Sequence, residues 1–183
     1  MKQIQLYLFA LCTLNLGLLT ACSNDDNNGS SGESNNENEH SYYIEIADGE
    51  TYQGSVPKAT GGIYYPIAFV EYNEEIDSEV LAGMLYDTGN FQFGIGLALD
   101  DNNNVSIQGS GPGLVFGEWA AEELYVPAGN INISLENYEE HNISLYGETG
   151  IVASFTLTFS GTFKLGDDGE EVSVTGKLVV AAP

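Results

Sequence analysis

Between Ile151 and Leu165 the chain alternates so regularly that only one secondary structure accommodates it. Odd positions carry Ile151, Ala153, Phe155, Leu157, Phe159, Gly161, Phe163 and Leu165. Even positions from 154 onward carry Ser154, Thr156, Thr158, Ser160, Thr162 and Lys164. Successive side chains of a strand point to opposite faces, so this period of two predicts one long β-strand with a buried face and a wet, hydroxyl-rich face. Gly161 inside the run predicts a bulge or bend. The stretch Gly166-Asp167-Asp168-Gly169-Glu170 reverses the chain, and Val172, Val174, Leu178 and Val180 return it as the second arm of a hairpin.

The same period recurs upstream. Phe91, Phe93, Ile95, Leu97 and Leu99 share one face of a strand, with Gln92, Gly94, Gly96 and Ala98 on the other. Asp100-Asp101-Asn102-Asn103-Asn104 turns that strand, and Val105 to Gln108 returns it. Tyr42–Ala47 and Thr51–Val56 flank Asp48-Gly49, a hairpin signal. Tyr64–Tyr72 and Ile131–Leu135 add strands, the first demoted to an edge or a bulge by Pro66. Only Glu118–Tyr125 suggests a helix, a short one stopped by Pro127. Eight or so strands separated by Gly, Asn and Asp turns predict an all-β domain over residues 41–183. The expected form is an antiparallel β-sandwich of immunoglobulin-like or jelly-roll-like kind, with a β-barrel as the alternative.

The N-terminal region has a different character. Lys2 precedes an apolar run from Ile4 to Leu19 broken by Gln5, Thr13, Asn15 and Gly17, the pattern of a secretory signal over residues 1–21 and too short and interrupted for a stable span. It ends in Leu19-Thr-Ala-Cys22, which resembles the lipobox of bacterial lipoproteins. That resemblance implies that Cys22 is acylated, palmitate among the chains, and becomes the first residue of the mature protein. Residues 23–40 contain no apolar side chain and predict a flexible acidic tether of roughly 20–25 Å. Asp25 and Asp26, just after the cysteine, resemble the export signal of surface lipoproteins in the Bacteroidota, which implies a lipid-anchored, surface-exposed place on the outer membrane. Toward the other end, Gly129-Asn-Ile-Asn-Ile-Ser, Phe159-Ser-Gly-Thr-Phe and Val172-Ser-Val-Thr-Gly-Lys-Leu are similar to the C-terminal pattern of small β-sandwich lipoproteins of that phylum. Two departures stand out: no Asn precedes Gly176, and Leu178 replaces the final Phe. Members of that family mostly lack an assigned activity, so the likeness bears on fold rather than function.

Charge then excludes several classes of partner. Beyond residue 21 the chain has three lysines, no arginine and all 27 carboxylates, a formal charge of −24. Nucleic acid binding needs Lys and Arg to neutralise phosphates, so it is not expected. Docking on anionic lipid by charge is not expected either, which leaves membrane attachment to acyl chains. Cys22 is the only cysteine in that span, so no disulfide is expected and stability rests on a hydrophobic core.

No catalytic residue can be nominated. The two histidines, His40 and His141, fall in the tether and in an Asn/Glu-rich segment, and neither a Gly-x-Ser-x-Gly elbow nor a His-Glu-x-x-His zinc motif is present. Paired carboxylates keep a small glycoside hydrolase, or another hydrolase of extracellular polymers, as the alternative to a binding protein. Calcium is the one cofactor considered. Asp100-x-Asn102-x-Asn104 matches three oxygen positions of an EF-hand loop, but Val105 stands where Gly is needed and Gly111 where the bidentate Glu belongs. A looser site on Asp100, Asp101 and Asn102, or on Asp167, Asp168 and Glu170, competes with the ordinary use of Asp and Asn in turns. For ligand binding, ten tyrosines beyond residue 21 and the single Trp119 offer faces for a sugar or a protein partner. Trp119 with Glu118 and Glu122 forms the candidate platform: an indole to stack and acids to accept hydroxyl hydrogen bonds. The competing expectation is that Trp119 plugs an open end of the core. The expected function is a non-enzymatic extracellular binding or adhesion module, for glycan or protein, or an envelope-assembly component.

Overall fold

The computed structural model describes residues 38–47, 49–60, 63–64, 67–107, 113–145 and 147–183. The expected signal segment, Cys22 and nearly all of the expected tether lie outside the described residues, as do Asp48, Tyr65, Pro66 and Gln108. The described chain is built of strands, with no helix. They are β1 (Glu39–Ile46), β2 (Thr51–Pro57), β3 (Ala59–Thr60), β4 (Ile63–Tyr64), β5 (Ala68–Asn73) and β6 (Ser78–Asp87), followed by β7 (Phe91–Leu99), β8 (Val105–Ser106), β9 (Leu114–Glu118), β10 (Tyr125–Leu145), β11 (Glu148–Leu165) and β12 (Glu171–Val180). Except for the small β3–β4 hairpin, all join one sheet in the order β10-β9-β7-β6-β5-β11-β12-β1-β2, with β8 beside β7. Every pairing is antiparallel.

The long alternating run is β11, and its length is what folds the sheet over. One edge of β11 pairs with β10 from Glu148 to Leu165. The other edge is shared: Val152 pairs with Phe69 of β5, and Phe155 to Lys164 pair with β12. β10 in turn reaches β9 through Tyr125 and Phe116. The circuit β10-β9-β7-β6-β5-β11 therefore closes on itself, while β12, β1 and β2 extend from it. Sandwich and barrel converge here, in facing layers joined by continuous hydrogen bonding.

Aromatic rings fill the space between the layers. Phe155, Leu157, Phe159 and Phe163 of β11 are buried, as are Phe91, Phe93, Ile95, Leu97 and Leu99 of β7. Phe93 lies 5.7 Å from Phe159, Phe116 lies 5.3 Å from Phe163, and Tyr42 stacks on Phe91 at 4.3 Å. Each such ring removes some 150–250 Å² from water, which makes this cluster the main source of stability. Gly161 sits opposite a bulge rather than in one. The register slips in β10 between Pro127 and Ile131, and a Cβ at Gly161 would lie 2.5 Å from Ile131 Cδ1.

The structure corrects two expectations, the helix over Glu118–Tyr125 and the place of His40. The helix over Glu118–Tyr125 does not form. Glu118 ends β9, Ala120 takes a φ of 59°, and the chain reverses so that Tyr125 can pair with Phe116. Eight residues with three acids and no cation could not nucleate a helix against that reversal. Both faces of β7 are covered: Gln92, Gly94 and Ala98 are buried as well. Val115 of the neighbouring β9 lies over Gly94, where a Cβ would be 2.7 Å from Val115 Cγ2. His40 belongs to the domain, not to the tether. β1 begins at Glu39, and the imidazole is fully buried with Nδ1 accepting the Ala181 N–H at 3.1 Å.

Candidate functional site

The β1–β2 hairpin, the β6–β7 turn and the end of β9 meet at one place. Gly89, at a φ of 89°, allows the tight β6–β7 turn, and the Asn90 N–H donates to the Asp87 carbonyl at 2.9 Å. The Trp119 N–H donates to the Asn90 carbonyl at 3.2 Å, and Gln92 Nε2 donates to the Glu118 carbonyl at 2.9 Å. These bonds clamp the end of β9 to the turn. On the other side, Tyr42 OH donates to Asp87 Oδ2 at 2.6 Å, tying β1 to the end of β6. Burial and the adjacent Asp87 carboxylate push the Tyr42 phenol far above its ordinary range. Tyr52 OH donates to Glu50 at 3.0 Å, and burial together with Glu50 raises that phenol as well.

Between these elements lies an open cleft of about 520 Å³, floored by Tyr42 and Phe91 and walled by Thr51, Tyr52, Gln53, Asn90, Glu118 and Trp119. Trp119 is 37% exposed and stands edge-on to Tyr86, ring centroids 5.2 Å apart at 87°. It is a rim residue and not a core plug. Two of the three predicted platform residues, Trp119 and Glu118, thus line the cleft. Glu122 is exposed and is not among its lining residues. Tyr52, Gln53 and Asn90 carry no distinguishing signal in the sequence. Their convergence depends on a hairpin and a turn some forty residues apart, and no local pattern reports it.

The acidic turns are used differently. Asp100 Oδ1 accepts the Asn102 and Asn104 N–H groups, each at 2.8 Å, and Asn104 Nδ2 reaches both carboxylate oxygens. Those hydrogen bonds hold the Asp100 carboxyl below its ordinary value, first through the Asn104 side chain. Its oxygens staple the turn. The Asp167 carbonyl accepts from Lys164 Nζ at 2.5 Å, while Asp168 and Glu170 border a second cleft with Glu123. Among the described residues no group of three or more His, Cys, Asp or Glu is arranged to hold a metal ion. Asp167, Asp168 and Glu170 therefore form no such group, and the Asp100 carboxylate is taken up by its own turn. His141 Nε2 lies 2.8 Å from Ser154 Oγ across the β10–β11 ladder, with Ser154 8% exposed. This pair lies beside the register shift between Glu136 and Glu139 and outside the cleft described above.

Comparison with known protein families, with curated proteins and with solved structures finds no match.

Proposed function

We propose that the chain is a lipid-anchored cell-surface protein whose β-domain is a non-catalytic module binding an extracellular ligand, glycan or protein, in the cleft beside Trp119. One observation carries the reading: a part-exposed indole, a phenol, two amide side chains and a carboxylate converge on one open cleft. Rings supply flat apolar faces, and Gln53, Asn90 and Glu118 supply donors and acceptors that fix orientation. The groups stand on strand ends and tight turns of a rigid sheet, where binding residues are commonly carried. A hydrolase would need two free facing carboxylates. Glu118 is the one carboxylate among the residues lining the cleft, and Asp87 and Glu50 nearby accept hydrogen bonds from Tyr42 and Tyr52.

Leu19-Thr-Ala-Cys22 supports the anchor, and the acidic residues just after it support transfer to the outer face of the outer membrane. Cys22→Ser should move the protein from the membrane fraction to the soluble fraction and abolish labelling by a fatty-acid analogue. For the cleft, Trp119 is the only tryptophan, so its emission reports on the site directly. Titration with xylo-, cello- and malto-oligosaccharides and with blocked extended peptides should give a saturable change with at least one class, lost on Asn90→Ala. An emission that no probe in either class alters, while iodide quenches it freely, would contradict the reading.

A further inference from the structure

Strand β2 is the last in the sheet order, and its outer edge borders the cleft. The Ile46 N–H donates to the Glu50 carbonyl at 3.2 Å and the Lys58 N–H donates to the Asn38 carbonyl at 3.1 Å, at the two ends of the β1–β2 ladder. Between them the register runs without a shift, through Glu45↔Thr51, Tyr43↔Gln53, Ser41↔Ser55 and Glu39↔Pro57. Hydrogen-bonded and non-hydrogen-bonded pairs alternate in an antiparallel ladder. The even-numbered residues of β2 therefore bond to β1, and Thr51, Gln53 and Ser55 direct N–H and C=O away from it. All three are exposed, and among the described residues no further strand pairs with them. Pro57, which has no N–H, falls in the same outward set, where an edge proline is tolerated. Proteins usually blunt such edges with charge, proline or a bulge. Here Pro57 and Lys58 guard one end only, and the span Thr51–Ser55 is regular and uncharged.

We infer that β2 is a docking edge, to which an extended basic peptide segment of a partner protein adds as a further strand along Thr51–Ser55, facing Trp119. The inference rests on the binding role proposed for the cleft and names its ligand. A strand added ~4.8 Å beyond β2 enters that cleft, whose far wall is Asn90, Glu118 and Trp119. Backbone pairing supplies affinity, and alternate side chains of the segment meet the indole. Charge selects the occupant. Glu50, Asp87 and Glu118 stand around the site in a chain of formal charge −23, which favours Lys and Arg on the incoming segment. A second copy would bring the same acids and the same net charge to its own partner edge. A glycan would use the rings but leave the outward N–H and C=O of Thr51, Gln53 and Ser55 to water.

The test is calorimetric titration of the full chain, in detergent, with the blocked heptapeptide Lys-Val-Lys-Val-Lys-Val-Lys. Two versions of equal charge accompany it, one N-methylated on the three valines and one on the inner lysines. Only one edge of an added strand faces β2, so one methylated peptide should bind like the parent and the other about tenfold or more weakly. Gln53→Pro, which removes an outward N–H, should weaken the parent peptide about tenfold more than Gln53→Ala, which keeps that N–H and removes only the side-chain amide. Equal binding of both methylated peptides would mean that charge alone attracts them, and would overturn the inference even if Gln53→Pro failed to fold. A dimer in sedimentation that Gln53→Pro dissociates would assign the edge to a second copy and overturn it as well. Binding of an oligosaccharide, lost in Trp119→Ala, with no peptide binding would keep the cleft as a ligand site and overturn strand addition. Absence of binding by either probe would overturn both.

Discussion

Replacing Gly176 by alanine should push a methyl group into the aromatic core. Gly176 lies directly opposite Phe159 on β11 and opposite Ile44 on β1. A Cβ there would fall 2.2 Å from Phe159 Cζ and 2.4 Å from Cε1, so the ring lies flat over the glycine. The ring cannot retreat freely. It is 4% exposed and held 5.7 Å from Phe93, 5.8 Å from Phe163 and 6.3 Å from Phe116. Inserting a methyl into a packed core costs about 1–3 kcal/mol, and rigid aromatic neighbours put this site at the upper end. Against that, alanine narrows the unfolded ensemble by about 0.4–1 kcal/mol relative to glycine. Gly176→Ala should therefore destabilise by about 2 kcal/mol. Phe159→Ala removes the clash but leaves a cavity, at about 3–5 kcal/mol. The double variant should fall short of the summed losses by about 1–2 kcal/mol, because the alanine methyl then occupies space the ring has left. Equilibrium urea unfolding followed by circular dichroism measures all three, with an unchanged m-value as the check on two-state behaviour. A neutral Gly176→Ala, or strict additivity in the double variant, would refute the packing argument.

Other consequences are simpler to state. Phe155→Ala should cost about 3–5 kcal/mol, while Thr158→Ala on the opposite face of β11 should change stability by about 0.5 kcal/mol or less; equal losses in urea melts would mean both faces are core. Tyr42→Phe removes a hydrogen bond to the Asp87 carboxylate and should cost about 1.5–3 kcal/mol by the same assay. Because the folded Tyr42 phenol titrates above its unfolded value near 10, its contribution is intact below pH 10 and is lost as pH rises toward the folded value, so stability should fall in strongly alkaline buffer and fall less in Tyr42→Phe. With so many carboxylates, melting temperature should rise with salt, and sodium chloride and calcium chloride should act alike at matched ionic strength, because Asp100 is engaged in its own turn; a saturable excess for calcium would point to a specific site.

The parts of the fold legible in the sequence are local. The β11–β12 hairpin and the β1–β2 hairpin follow from uninterrupted alternation and strong turns, and Tyr42 and Tyr43 divide as adjacent strand residues should, one buried and one 45% exposed. β10 is legible only at Ile131–Leu135. Its extension to Leu145 is hidden because Asn137, at a φ of 54°, shifts the register between Glu136 and Glu139 and breaks the alternation. β6 and β9 are hidden for a related reason. Gly83 and Gly117 accept close approach by their neighbours and interrupt the hydrophobic period. A Cβ on Gly83 would lie 1.7 Å from the Ile67 carbonyl oxygen, a fact of tertiary packing alone. The site has the same character. Trp119 and Glu118 are legible as chemistry, but Tyr52, Gln53 and Asn90 join them only through the closure of the sheet.

We propose the seam between β2, the β6–β7 turn and the end of β9 as the place where this domain meets its ligand. Backbone amide shifts of the full chain, recorded by NMR during titration with the basic heptapeptide, test it most directly. Saturable changes should concentrate at Thr51, Gln53, Ser55, Asn90, Glu118 and Trp119, with the hydroxyl face of β11 at Thr156, Thr158 and Ser160 unmoved. Changes centred on that β11 face, or scattered over the acidic surface without saturation, would contradict it.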